Sequence, residues 1–171
     1  MKNNLLYFSA LFLLMLITGV FWGTWFTLTR SIGDFSSSEF MHIGQVIIHN
    51  VAVAMRYIMI TGFILILFSL WLGRKKTGFP YGVISLLLLI AVLFITLLVL
   101  VPIDNFIKTW DEMSIPGNWE SIRSTWATWH AVRTFVSMAS FICFGVFAAS
   151  DSQTGADRKY KLEKKNKGLW I

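Results

Sequence analysis

Trp126, His130 and Arg133 follow one another at spacings of four and three in the stretch NWESIRSTWATWHAVRTF. Imidazole is a base near neutrality, guanidinium is a permanent hydrogen-bond donor to oxyanions, and indole offers a stacking face. On one helical face these are parts that can hold an anionic or carbonyl-bearing ligand. Arg123, Trp126, His130, Arg133 and Ser137 fall within roughly 80° of one another at helical periodicity. Earlier in the chain His42, Gln45, His49 and Arg56 fall within about 60°.

These residues have to be positioned by a membrane protein. The chain has 171 residues, of which 56% are hydrophobic and only 14% charged. Apolar runs cover about 5–28, 46–72, 81–101 and 131–149, each near the ~20 residues that cross a bilayer as a helix. The first run is too long for the core of a signal peptide and no A-x-A cleavage pattern follows it, so it reads as a retained span. The expectation is an all-α, four-transmembrane-helix bundle running up-down-up-down. Residues 1–150 form its single domain and 151–171 a basic tail.

The charge pattern sets the expected orientation. Arg74, Lys75 and Lys76 give the middle loop +3, the tail is also +3, and the loops at 30–41 and 103–121 carry −1 and −3. Basic loops stay on the cytoplasmic side. Both termini are therefore expected there, in a multi-pass protein of a plasma or inner membrane whose polar residues lie toward the outer face. The tail fits anionic lipid headgroups rather than nucleic acid. Gly19-x-x-x-Gly23 predicts a close helix crossing, Pro102 predicts an end or kink, and Pro116-Gly117 predicts a turn. Cys143, the single cysteine, excludes an intrachain disulfide.

Counting outward from the inner helix ends puts Arg56 and Arg133 at ~24–25 Å, His130 at ~30 Å, His49 at ~34 Å and Asn105 at ~36 Å. Lipid penalises charged groups, so these residues are expected to face one another inside the bundle. Two arginines at one depth need an anion, a carboxylate such as Asp104 or a polar ligand between them. Trp22 and Trp126 share faces with polar residues and are expected to line the site, while Trp71, Trp110, Trp119 and Trp129 read as interfacial anchors. No His or carboxylate pair at helical spacing occurs in this layer, so no metal is expected. His49 and His130 as axial haem ligands, with the arginines taking propionates, remain an alternative.

The segment from Pro102 to Arg133 carries P-x-x-N, a tryptophan, and then W-x-x-x-R-x-x-W-x-x-x-H-x-x-R. The residues are Pro102, Asn105, Trp110, Trp119, Arg123, Trp126, His130 and Arg133. It resembles the anthrone oxygenase-like family of small four-helix membrane proteins. That resemblance implies oxidation of an activated methylene to a quinone by O₂ without a cofactor, with His130 as base and Arg133 and Asn105 stabilising the enolate oxygen. Trp22, Trp25 and Trp126 would stack on the substrate, and His49, Arg56 and Arg123 would help bind it. The expected function is a membrane-embedded oxidoreductase for a lipophilic aromatic or quinone-like compound. Its rivals are a haem- or quinone-binding electron carrier and a non-enzymatic assembly or transport subunit.

Overall fold

A chain in hydrocarbon has to satisfy its own backbone N–H and C=O groups, so the apolar runs fold as helices. The computed structural model describes residues 2–151 and Glu163. Its α-helices are α1 (Lys2–Thr24), α2 (Ser37–Leu72), α3 (Phe79–Ile95), α4 (Val101–Ile107) and α5 (Trp119–Ala149). Wider π-helical turns extend α1 through Trp25–Thr29 and join α3 to α4 through Thr96–Leu100. Among the described residues four stretches are long and apolar enough to cross a membrane: Asn4–Thr29, Ser37–Leu72, Phe79–Ile107 and Trp119–Ala149. The surface agrees, because Phe8, Tyr57 and Leu98 are 64–68% exposed, and lipid tolerates what water would drive into association. The predicted basic tail lies outside the described residues apart from Asp151 and Glu163.

The helices outrun the apolar segments. Ser36 and Glu39 form a capping box, with the Ser36 backbone N–H donating to Glu39 Oε2 at 2.8 Å and the Glu39 N–H to Ser36 Oγ at 3.4 Å. This starts α2 some nine residues before its apolar run and makes it ~54 Å long, well beyond the ~30 Å hydrocarbon core. Pro102 does not end its helix. Its ring crowds the carbonyl four residues back, at Leu98, inside the wide 96–100 turn. Opening the ladder there lets the helix run on to Ile107.

Three apolar layers stack along the bundle. One contains Leu14, Ile66, Leu89, Phe144 and Phe147. The middle one contains Ile17, Phe21, Met55, Met59 and Val92. The third, at the tryptophan-rich end, contains Phe40, Met41, Leu100, Ile107, Trp110 and Trp126. Hydroxyls stitch the helices between layers: Ser85 Oγ donates to Ser140 O at 2.8 Å, and Thr18 Oγ1 to Ser137 O at 3.3 Å. Such bonds contribute roughly 0.6 kcal/mol each inside membranes.

The close helix approach is not at Gly19 and Gly23, where an added Cβ would meet nothing within 4 Å. It is at Gly82, where a Cβ would collide with Leu70 and stand 2.9 Å from Phe147 Cγ. Gly82→Leu is therefore expected to destabilise the bundle by ~1–3 kcal/mol through overpacking, measured as a lower midpoint in an SDS unfolding titration. Gly19→Leu should leave the midpoint near wild type.

The same end is tied by Lys76. Its Nζ donates to the carbonyls of Phe147 at 3.1 Å and Ala148 at 2.7 Å, 4.4 Å from the Tyr7 ring centre. These are end carbonyls of α5, which lack helical partners. Partial burial pulls the ammonium below the ordinary lysine range, and Asp151 opposes that shift.

Candidate active site

The buried face of α5 carries Trp126, His130, Arg133, Thr134, Ser137 and Ser140. The polar stripe on this helix faces the interior, as hydrocarbon requires. Spacings of four and three bring the first three side chains into one column. The Trp126 and His130 rings lie 4.2 Å apart at 39°, and Arg133 Nη2 lies 2.8 Å from His130 Nε2. A guanidinium can only donate. The ring nitrogen that receives it therefore presents a lone pair, and the imidazole is neutral in this arrangement.

Two other helices and the wide turn between α3 and α4 close around this column. From α4, Asp104 Oδ1 accepts a hydrogen bond from Trp126 Nε1 at 3.0 Å, fixing the indole over the imidazole. From the wide turn before α4, Thr96 Oγ1 lies 3.5 Å from Arg133 Nη1. From α1, the Phe21 ring centre lies 4.0 Å from the Arg133 guanidinium carbon. Thr134 Oγ1 donates to His130 O at 2.7 Å and also lies 3.3 Å from Phe21 O, joining α5 to α1. His130 and Arg133 are each 7% exposed.

Arg133 is under-satisfied. Its Nε is buried with no hydrogen-bond partner. Among the described residues it forms no salt bridge, and the carboxylate whose charge acts on it, Asp104, does so from beyond contact distance. A buried cation held by a neutral imidazole, a hydroxyl and a ring has spare capacity for an anion.

The other expected site residues lie elsewhere. His49 and Arg56 are exposed and line an open groove of about 610 Å³ with Gln45 and Lys108, a groove to which His130 and Arg133 do not contribute. The interior face of α2 is instead Met41, Gly44, Ile48, Met55, Met59 and Gly62, residues three to seven apart that pack on the neighbouring helices. That stripe takes the interior, so His42, His49 and Arg56 turn outward. The expected meeting of both arginines and both histidines in one interior layer does not occur. His49 and His130 are likewise not an axial pair for haem, since one lies on the outer groove and the other is bonded to Arg133 inside.

Asn105 is exposed and accepts from Lys108 Nζ at 3.4 Å, while its neighbour Asp104 faces Trp126. Trp22 and Trp25 meet at 5.1 Å with their rings tilted by 38°, and Trp25 meets Phe135 on α5 at 5.1 Å. They form an aromatic belt on the half-exposed rim. Trp110 and Trp126 are buried in the third apolar layer, whereas Trp71 is 59% and Trp129 36% exposed.

Arg123 is a staple. Its Nη1 donates to Phe35 O at 2.7 Å and lies 3.3 Å from Gly33 O, with the guanidinium 4.6 Å from the Trp119 ring. Arg123→Ala is expected to speed tryptic cleavage after Arg30 roughly tenfold, the effect of ~1.5 kcal/mol of lost charge-assisted hydrogen bonding. It should leave the His130–Arg133 pair intact.

Thr96 and Phe21 join the site with little mark in the sequence. Thr96 is the one hydroxyl in the aliphatic run FITLLVLVP, a weak signal, and Phe21 carries none. Among the described residues no three His, Cys, Asp or Glu side chains are grouped to hold a metal ion. No curated relative and no solved structure matches the chain. Residues 45–143 match the family model of anthrone oxygenase. That match spans more than half of the chain and takes in Thr96, Asp104, Trp126, His130 and Arg133, so the protein belongs to the anthrone oxygenase family.

Proposed function

We propose that this membrane protein is an oxygenase that converts an activated methylene of a lipophilic aromatic ketone to a quinone carbonyl with O₂. The observation that supports this reading best is the buried Arg133 with an unpartnered Nε beside a neutral His130. In the resting arrangement the guanidinium occupies the imidazole lone pair. An incoming carbonyl oxygen competes for the same donors, and as it takes them His130 Nε2 is released to act as base.

The methylene C–H then breaks, its proton goes to His130, and the electron pair moves onto the carbonyl oxygen held by Arg133. Electron transfer to O₂ and formation of a C–O bond, with return of the proton from His130, give a hydroperoxide. Loss of the second methylene hydrogen as a proton, with cleavage of O–O, yields the new carbonyl and water. The balance is R₂CH₂ + O₂ → R₂C=O + H₂O. Trp126, fixed by Asp104, supplies the flat wall on which an aromatic substrate stacks.

The spans are taken to alternate in direction. The basic 73–79 loop and the 151–171 segment are placed on the cytoplasmic side, and the site lies toward the opposite face of a plasma or inner membrane. Purified protein in lipid nanodiscs, given an anthrone in air, should form the quinone with one O₂ consumed per turnover, at a rate above the spontaneous oxidation. No acceleration across a panel of anthrones and hydroquinones would overturn the reading.

A second reading has its own support. The same contacts are what a purely structural network would show. In that case no ligand protects the protein against heat, whereas a binding site gives protection that rises with ligand concentration.

A further inference from the structure

The groove on the outside of α2 is separate from the His130 site, and its chemistry is different. It is lined by Arg56, Lys108, His49, Asn50 and Gln45 together with valines 46 and 53, has a volume of about 610 Å³ and, among the described residues, has no carboxylate in its lining. Arg56 belongs to a membrane-spanning helix yet is exposed. Charged residues in spans normally face the bundle interior or a partner. Among the described residues Arg56 is turned from the interior and forms no salt bridge.

The neighbouring acids are occupied elsewhere. Glu112 pairs with His42 at 3.5 Å. The Ser114 side chain, followed by the Met113 backbone N–H that donates to Oδ1 at 2.9 Å, holds the Asp111 carboxyl below the usual range. Asp104 is held by Trp126. Among the described residues Lys108 hydrogen-bonds only to the neutral Asn105 Oδ1, at 3.4 Å, while the Asp104 carboxylate acts on its charge from beyond contact.

Depth specifies what can neutralise the groove. Arg56 stands ~24 Å from Leu72 along α2, just inside a ~30 Å core, and Gln45 stands ~16 Å further out. Gln45 is level with the end of α4, since its Nε2 donates to Ile107 O and Trp110 O at 3.2 and 3.0 Å. The groove thus crosses the boundary between acyl chains and headgroups. An arginine at this depth extends its head to the interface.

We infer that this groove binds one anionic glycerophospholipid, its phosphate held between Arg56 and Lys108 and its upper acyl chain lying along Val53. The site does not depend on the oxygenase reading, and its test does not use turnover.

The experiment is native mass spectrometry of the full chain released from nanodiscs of mixed phosphatidylglycerol and phosphatidylcholine. Wild type should retain phosphatidylglycerol in preference. Arg56→Gln/Lys108→Gln should lose that retention about tenfold or more, while Arg74→Gln/Lys75→Gln at the other end should match wild type. Equal retention by both double variants, or no preference between the lipids in wild type, overturns the site. Displacement of the lipid by millimolar inorganic phosphate shows a soluble-phosphate site and overturns the lipid assignment.

Should the groove variant fail to fold, wild type can be crosslinked with phosphatidylglycerol carrying a headgroup diazirine. Adducts within residues 45–56 are expected. Adducts spread evenly over the other helices overturn the proposal.

Discussion

His130→Gln is expected to lower anthrone turnover by roughly 10²–10⁴-fold, the usual contribution of a positioned base. Helical content and unfolding midpoint should stay close to wild type. Glutamine is chosen because its amide oxygen can still accept the Arg133 donor that now meets His130 Nε2 at 2.8 Å. The substitution removes the base and keeps the contact. Alanine would confound the two by leaving a cavity under Trp126 and one more unpartnered N–H on a guanidinium that already has one. Initial rates of quinone formation in nanodiscs, read beside circular dichroism, decide the matter. Wild-type turnover in His130→Gln would remove the imidazole from the chemistry and leave it a structural role.

Arg133→Met separates catalysis from architecture in the opposite sense. Loss of the oxyanion donor should cost about 10²–10³-fold in turnover. The unfolding midpoint should hold or rise, because no carboxylate touches the cation, and desolvating it costs more than its neutral contacts and the more distant charge of Asp104 return. Methionine fills the stem volume against Phe21 and leaves only His130 and Thr96 to find new partners. If Arg133 served only to bind helices together, the result would be reversed: a lower midpoint. A protein that melts earlier and turns over normally would refute the assignment of this residue to the site.

The α5 half of the site was legible in the sequence, because Trp126, His130, Arg133 and Ser137 share a face whose neighbours are apolar. Lipid leaves such a stripe one place to go. The same argument misled on α2. There two stripes compete for the interior, and the one built of Met41, Gly44, Ile48, Met55 and Gly62 packs better than a row of histidines and an arginine. Periodicity reports that a face exists but not which way it turns when the polar side can reach headgroups. The length of α2 was under-read for a related reason. Its first turns are secured by the Ser36–Glu39 box, and hydropathy does not register a cap. Thr96 and Phe21 reach Arg133 only through tertiary packing, so no local pattern marks them.

The wide turn at Thr96–Leu100 has a consequence for comparing relatives. One additional residue in a helix rotates everything after it by about 100° around the axis. Positions past Leu100 therefore cannot be assigned to lipid or protein by extrapolating from α3. Asp104 meets the indole while Asn105, one place along, points away. A homologue lacking that inserted residue would offer α5 a different neighbour even with the same letters in the same order. Alignments across this turn need to be scored by azimuth as well as by identity before a residue's role is carried from one chain to another.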